Sequence, residues 1–300
     1  MNYLITGATG FLGTNLVNAL LAAGNEVNYL GRKRSTRLDS RAAYFCWQPG
    51  EVPPLDSMPR LDAVVNLAGE PIAQRWSAEV KRRIRDSRIQ LTRQLVEALG
   101  RLKHKPSVLV NASAVGYYGD RGDEILIESS APGSGFLAEL CVDWEREALR
   151  ATEYGLRVSS VRTGVVLGRG GGALQRMLPP FRWGLGGQFG NGRQWMPWIH
   201  VRDLIRLFIF AAETNRITGP INGGAPEPVR NADLTRALAR ALHRPALFAL
   251  PRFALRAALG EMAEFLFASA RMVPRAAEDA GFQFEFRELS AALRDLLLIN

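Results

Sequence analysis

The sequence predicts an α/β protein: a Rossmann-type, doubly wound parallel sheet with a small, mainly helical C-terminal lobe on the side where a substrate would sit. Three observations predict it. Short β-branched runs alternate with longer amphipathic stretches up to about residue 161. A turn with evenly spaced glycines joins the first run to the first amphipathic stretch. From Gly168 the texture changes to glycine, proline and tryptophan, followed by helical patterns. Alternation of the first kind implies a parallel sheet with helices on both faces. Right-handed crossovers then wind the chain outward from the middle of the sheet. The binding crevice of such a sheet opens at the carboxyl ends of its strands.

The elements follow in order. Residues 2–6 (NYLIT) read as a strand and 11–23 as a helix. Residues 26–30 (EVNYL) are a second strand and 43–47 (AYFCW) a weak third. Residues 62–67 (DAVVNL) form a buried strand, followed by a long helix over 77–101. Residues 107–112 (SVLVNA) are a strand, 135–154 a helix and 156–161 (LRVSSV) another strand. The stretch 168–199 lacks periodicity and reads as a long functional loop region. Residues 201–214, 231–242, 252–268 and 288–298 read as helices. The implied organisation is a dinucleotide-binding domain over 1–167, to which 200–222 return. A substrate-side lobe is formed by 168–199 and 223–300, with a distinct segment near 250–297.

Composition narrows the function classes. The chain has 300 residues, 47% hydrophobic and 22% charged, which is ordinary globular usage and excludes disorder. No apolar run approaches the ~18–20 residues of a membrane span. MNYLITGATG has neither the basic nor the long apolar region of a secretory signal. A cytoplasmic location and no membrane partner are therefore expected. Cys46 and Cys141 make no framework, and each reads as a small buried hydrophobe or else a reactive thiol. His104, His200 and His243 are widely separated, so no metal site is expected. The net charge is +9, and residues 1–105 hold 16 basic against 9 acidic residues. That local excess suits an anionic partner. No nucleic-acid-binding motif accompanies it, and Lys81-Arg82-Arg83 reads as a solvated helix face, so a small phosphorylated molecule is expected and nucleic acid is not.

TGATGFLG places Gly7, Gly10 and Gly13 three residues apart between the first strand and the first helix. The turn needs a residue without Cβ constraints, and the approach of backbone N–H groups to a pyrophosphate needs another. The helix N-terminus then offers free donors and positive dipole to the anion. The flanking strand and helix supply the context that a glycine pattern alone lacks. The contact residues expected here are Gly7, Thr9, Gly10, Phe11, Leu12 and Gly13. At the end of the second strand, an NAD site wants a carboxylate for the ribose 2′-hydroxyl. This chain has Gly31-Arg32-Lys33-Arg34 instead. A guanidinium grips a 2′-phosphate bidentately. NADP(H) is thus the expected cofactor, with Arg32 foremost and Lys33 or Arg34 assisting.

TGATGFLG, Asn66-Leu67-Ala68-Gly69 and Asn111-Ala112-Ser113 together resemble the extended short-chain dehydrogenase/reductases. NLAGEPIAQRWS (66–77), SAVGYYG (113–119), FLAELCVDWE (136–145) and MPWIHVRDL (196–204) narrow the likeness. So do residues 222–245 and 281–297. They resemble the epimerase-family branch, often labelled sugar-nucleotide epimerases or cell-division inhibitors, which carries a short C-terminal domain of its own. The resemblance covers nearly the whole chain. It implies that Leu67, Ala68, Gly69 and Glu70 line the cofactor. It also implies a serine followed by Tyr-x-x-x-Lys: the tyrosine exchanges a proton with the substrate oxygen, the lysine lowers its pKa and holds ribose, and the serine orients the substrate.

Ser113 matches the serine. Phe136 stands where the tyrosine belongs and Leu140 where the lysine belongs. Neither exchanges protons. Tyr29 and Lys33 have the spacing but lie at the adenosine side. The replacement donors are Tyr117 and Tyr118, with a packing role open to either. Glu70 suits a ribose contact or, if desolvated, a base. Arg75 suits an anion clamp or a surface ion pair. His200 and Asp203 read as structural residues at a helix start. Trp183, Trp195 and Trp198 suit either core packing or stacking on a ligand. Two functions follow. One is an NADP(H)-dependent epimerase/dehydratase-like oxidoreductase of a small carbonyl or sugar-like substrate, using Ser113 with Tyr117 or Tyr118. The other is a non-catalytic NADP(H) sensor or regulatory protein, which the missing pair would suit.

Overall fold

The computed structural model describes residues 1–297, so the last three residues of the expected lobe lie outside it. Seven strands form one parallel sheet: β1 (Asn2–Thr6), β2 (Glu26–Gly31), β3 (Ala43–Cys46), β4 (Ala63–Asn66), β5 (Val108–Ala114), β6 (Arg157–Thr163) and β7 (Gly219–Gly223). Their order is β7-β6-β5-β4-β1-β2-β3. The chain runs outward from β1 to β3, then restarts at β4 on the other side of β1. The crevice left at that reversal is where a doubly wound sheet binds ligands. Strands β1 and β4 are buried along their whole length, which is why both are apolar rather than alternating.

Helices cover both faces. α1 (Phe11–Ala22) and α5 (Val201–Glu213) pack on one side, with Leu16, Leu20, Leu204 and Phe208 fully buried against Tyr3, Ile5 and Val65. α2 (Ala78–Arg101) and α3 (Phe136–Leu149) pack on the other, with Leu95, Leu99 and Ala148 against Leu4, Val64 and Leu109. Each fully buried large apolar side chain contributes roughly 1.5–3 kcal/mol. α2 begins at Ser77, whose hydroxyl caps the Val80 N–H at 3.2 Å.

The structure departs from the sequence-based expectation in four places. Residues 168–199 are not a loop. They hold α4 (Gly172–Arg182) and the short strands Gly187–Phe189, Trp195–Met196 and Trp198–His200. Leu174 and Phe181 are buried two helical turns apart, but Pro179 and Pro180 inside the helix mask that period. Strand β7 at the sheet edge was not foreseen, because GPING has the composition of a turn. The helix expected over 252–268 breaks at Gly260, φ +63°, into α7 (Arg252–Leu259) and α8 (Met262–Phe267). The helix expected over 135–154 ends at Leu149, where a 3-10 turn takes over.

α6 (Asn231–Ala241) and α9 (Leu289–Leu297) make a second core with α4, built on Trp198, Leu234, Leu238 and Leu293. This C-terminal region is tied to the sheet by Asp203 at the start of α5. Its carboxylate accepts the backbone N–H groups of Glu285 and Phe286, each at 2.9 Å. His200 stacks on Phe286 at 3.9 Å and bonds Asp295 through Nε2 at 3.2 Å, while its Nδ1 accepts the Arg202 N–H. Both residues act at this joint.

Candidate functional site

The crevice is framed first by backbone. Gly7 has φ +68°, and a Cβ there would lie 2.6 Å from the Leu67 carbonyl oxygen. A Cβ on Gly13 would collide with the Gly7 carbonyl and lie 2.5 Å from Ala8 Cα. The turn thus closes only with glycine, and it presses directly against the segment that follows β4. Gly10 starts α1 with no side-chain cap, leaving the first-turn N–H groups of Phe11, Leu12 and Gly13 as the donors of the cradle. Thr9 and Gly10 are exposed beside them. The Phe11 ring is turned away into the tight bend at Gly168 and Gly171, so it braces that bend while its amide belongs to the cradle.

A row of buried polar side chains crosses the strand ends. Thr6, Asn66 and Asn111 stand in register on β1, β4 and β5. Thr6 Oγ1 donates to Asn66 Oδ1 at 2.5 Å, and Asn66 Nδ2 donates to Asn111 Oδ1 at 2.6 Å. The Ala68 N–H then donates to Thr6 Oγ1 at 3.2 Å, which pins Leu67 and Ala68 over the cradle. Glu70 is held by its backbone, its N–H donating to Ser87 Oγ at 2.9 Å. Gln74 Nε2 donates to its carboxylate at 3.4 Å.

Beyond β2, Arg32, Lys33 and Arg34 are exposed. No ion pair among the described residues engages them. Cys46 lies nearby, exposed on the edge strand β3, contrary to the buried place expected of it. Cys141 is buried on α3, and burial pushes its thiol up to about 11.

The other end of the crevice is built from side chains. Ser113 Oγ donates to Glu145 Oε1 at 2.6 Å. Glu145 in turn receives Arg162 Nε and Nη2, both at 2.9 Å, in a bidentate pair. Arg162 is 3% exposed and is paired with Ser113 across β5 and β6. Burial alone would pull this guanidinium down, but the Glu145 carboxylate holds it well above its ordinary range. Its Nη1 donates to Tyr118 Oη and to the Glu128 carbonyl, each at 3.0 Å, and its plane lies 3.3 Å from the Tyr117 ring centre.

The two tyrosines therefore separate. Tyr118 is fully buried, its hydroxyl shared between Asn222 Oδ1 at 2.7 Å and the Ile127 carbonyl at 3.1 Å. Burial pushes it up to about 12, so it keeps its proton at neutral pH. Tyr117 is only partly buried, and its ring forms the wall against Arg162. At the place of the missing pair, Phe136 packs edge-on against Trp76 at 5.3 Å and Leu140 is buried.

Several expected candidates are placed elsewhere. Arg75 is exposed and donates to the Ala257 carbonyl at 3.4 Å, joining the Glu70 loop to α7. Trp183 is 81% exposed; Trp195 lies between Arg230 and Arg271; Trp198 is fully buried. Among the described residues, no three His, Cys, Asp or Glu side chains gather as metal ligands, and no helix is long and apolar enough to cross a membrane. Glu145, Arg162, Asn222 and Arg88 were missed in the sequence. Trp144-Glu145 sat inside a quoted motif, and a charged Arg162 inside a buried strand was a legible anomaly.

Comparison with known proteins agrees with the fold. The profile of the "NAD dependent epimerase/dehydratase family" matches residues 3–222, and a "Domain of unknown function (DUF1731)" matches 250–296. Epimerase family protein Mb2239 of Mycobacterium bovis is 44% identical over 293 residues, covering 96% of this chain and 95% of that one. The chloroplastic SDR39U1 homolog of Arabidopsis thaliana is 40% identical, covering 99% and 87%. Among solved structures, human epimerase family protein SDR39U1, crystallised with NADPH, superposes with a TM-score of 0.91 at 36% identity, covering 99% of both chains. A nucleoside-diphosphate sugar epimerase of Corynebacterium glutamicum superposes with a TM-score of 0.80 at 35% identity, covering 99% of this chain and 58% of that one.

Proposed function

The chain belongs to the NAD dependent epimerase/dehydratase family, and from that premise we propose that it is an NADP(H)-binding oxidoreductase of a small carbonyl or sugar-like substrate. The observation that carries the cofactor preference is the uncompensated Arg32-Lys33-Arg34 run at the end of β2, where no carboxylate stands to repel a 2′-phosphate. The human SDR39U1 structure with NADPH supports it. The residues fit the cofactor: the cradle admits backbone donors only because Gly7 and Gly13 lack Cβ atoms.

When bound, the nicotinamide supplies or accepts a hydride. The protein does the rest. The amides of residues 11–13 hold the pyrophosphate, and Arg32 forks the 2′-phosphate. Leu67 to Glu70 line the ribose side. Ser113 contacts the substrate oxygen, with its own proton committed to Glu145. Tyr117 is the hydroxyl left to exchange a proton there. The region over 168–199 and the C-terminal helices complete the pocket. Two free cysteines suit a reducing compartment such as the cytoplasm. A second reading, a sensor that binds NADP(H) without turnover, is favoured by Phe136 and Leu140 at the proton-transfer positions.

Calorimetry with NADPH and NADH tests the cofactor. Arg32→Ala should weaken NADPH by about tenfold or more, the loss of one bidentate charged contact, and leave NADH nearly unchanged. No heat with NADPH or NADP+ overturns the reading. Absorbance loss with a panel of carbonyls and sugar nucleotides tests turnover. Ser113→Ala and Tyr117→Phe should each abolish it, and tight binding with no oxidation across the panel selects the sensor.

A further inference from the structure

α2 carries a guanidinium that the fold buries but does not neutralise. Arg88 is 8% exposed and has no carboxylate within ion-pair distance among the described residues. Its Nη1 donates to the carbonyls of Glu70 at 3.1 Å and Ile84 at 3.2 Å, and its plane lies 5.1 Å from the Trp144 ring centre on α3. Nε is buried with no hydrogen-bond partner. Nη2 has no hydrogen bond to the described residues either. Two of its three nitrogens are therefore unengaged. Burial pulls Arg88 down to about 10, with the Cys141 thiol and the Glu70 carboxylate opposing, so it stays charged at neutral pH. Burying an uncompensated charge is costly to the fold.

The place of that charge is informative. A Cβ on Gly69 would lie 2.9 Å from Arg88 Cζ and 3.0 Å from Nη2. Gly69 is itself exposed, in the turn whose Leu67 carbonyl presses on Gly7 of the cradle. The guanidinium thus sits directly behind the lining of the crevice, at the reversal point of the sheet, on the side toward α3. With no Cβ at position 69, the wall between the guanidinium and the crevice is thin there.

We propose that Arg88 is an anion-recognition residue of this crevice, meeting through the Gly69 turn a phosphate or carboxylate oxygen of the bound ligand. The inference rests on the dinucleotide reading above. The anion has two sources, the pyrophosphate of the dinucleotide or an acidic group of the substrate, and both meet the guanidinium by the same charge-assisted hydrogen bonds. A role confined to holding the loop would need only Nη1, and would not require the charge.

Three titrations on the full chain decide it, using Arg88→Met, which keeps packing volume, and Arg88→Lys, which keeps charge. Thermal melting checks that each variant folds. NADPH reads the dinucleotide as a whole. 2′,5′-ADP reads the adenosine end alone and is expected to bind all three proteins equally. Inorganic phosphate and acetate, titrated into the NADP+ complex, read the substrate side. A loss of about tenfold or more in NADPH affinity with Arg88→Met, partly restored in Arg88→Lys, assigns the anion to the dinucleotide. Unchanged NADPH affinity with loss of phosphate or acetate binding assigns it to the substrate. Unchanged affinity for all of these in Arg88→Met overturns the inference, as does equal loss of 2′,5′-ADP, which would mark a merely structural role. If Arg88→Met does not fold, Arg88→Lys carries the same comparison, its planar fork lost and its charge kept. Wild-type protein that binds neither NADPH nor NADP+ removes the cofactor reading itself; wild-type protein that binds NADPH with an affinity that Arg88→Met leaves unchanged, for phosphate and acetate as well, removes Arg88 alone.

Discussion

The two ends of the crevice differ in how they are made. The cradle occupies Gly7 to Gly13, seven consecutive residues whose shape is set by missing Cβ atoms and free amides. The opposite end draws Ser113, Tyr118, Glu128, Glu145, Arg162 and Asn222 from five separate stretches of chain. A backbone device depends on local geometry and tolerates change elsewhere in the molecule. A side-chain network depends on every element that contributes to it, and loses its balance of charge when one member goes.

Arg162→Met tests that contrast most severely. It leaves the partly buried Glu145 without its charged partner and frees Tyr118 and the Glu128 carbonyl. Breaking a buried pair in this way costs about 3–5 kcal/mol. Urea denaturation should show it, and replacing Glu145 by Gln in the same chain should recover part of the loss. A change below about 1 kcal/mol would mean that the network does not hold this end together.

Gly13→Ala is the matching insult to the cradle. The new methyl meets the Gly7 carbonyl and Ala8, both backbone, so the turn itself must move. Overpacking of this kind costs roughly 1–3 kcal/mol. The larger consequence is for ligand: NADPH affinity should fall by two orders of magnitude or more, while Arg162→Met protein that remains folded should still bind it through its adenosine end. Equal effects of the two changes on binding would erase the distinction between the two ends.

That distinction also explains what the sequence revealed. Gly7, Gly10, Gly13 and the basic run after β2 are local patterns with a local physical reason, and they were legible. So was the succession of central strands along the chain up to β6, because buried parallel strands advertise themselves as apolar runs. Glu145 was not legible, since nothing near it in the chain shows that it faces Ser113, 32 residues earlier. Tyr117 and Tyr118 looked equivalent because adjacent residues carry no record of which ring turns inward. Helix α4 was hidden by its prolines, and β7 by its glycines, although tertiary packing overrides both.

The joint between sheet and C-terminal region sharpens the comparison at the smallest scale, because it includes a titrating group where the cradle has only backbone. His200 is held below its usual range by burial first, with the Asp295 carboxylate opposing and Arg202 adding to the shift. The unfolded chain therefore takes up a proton at His200 at a higher pH than the folded one. This contribution to stability is complete above the unfolded value near 6.5 and is lost as pH falls through the lower folded value. Urea midpoints measured from pH 7.5 down to 5 should decline with acid. His200→Asn keeps a side-chain oxygen to cap the Arg202 N–H and removes the titration. Its midpoints should be lower at pH 7.5, where Asn cannot replace the stacking on Phe286, but should decline less toward pH 5. The difference in slope should amount to about 1 kcal/mol or less, and parallel slopes in the two proteins would show that His200 does not set the acid sensitivity of this joint.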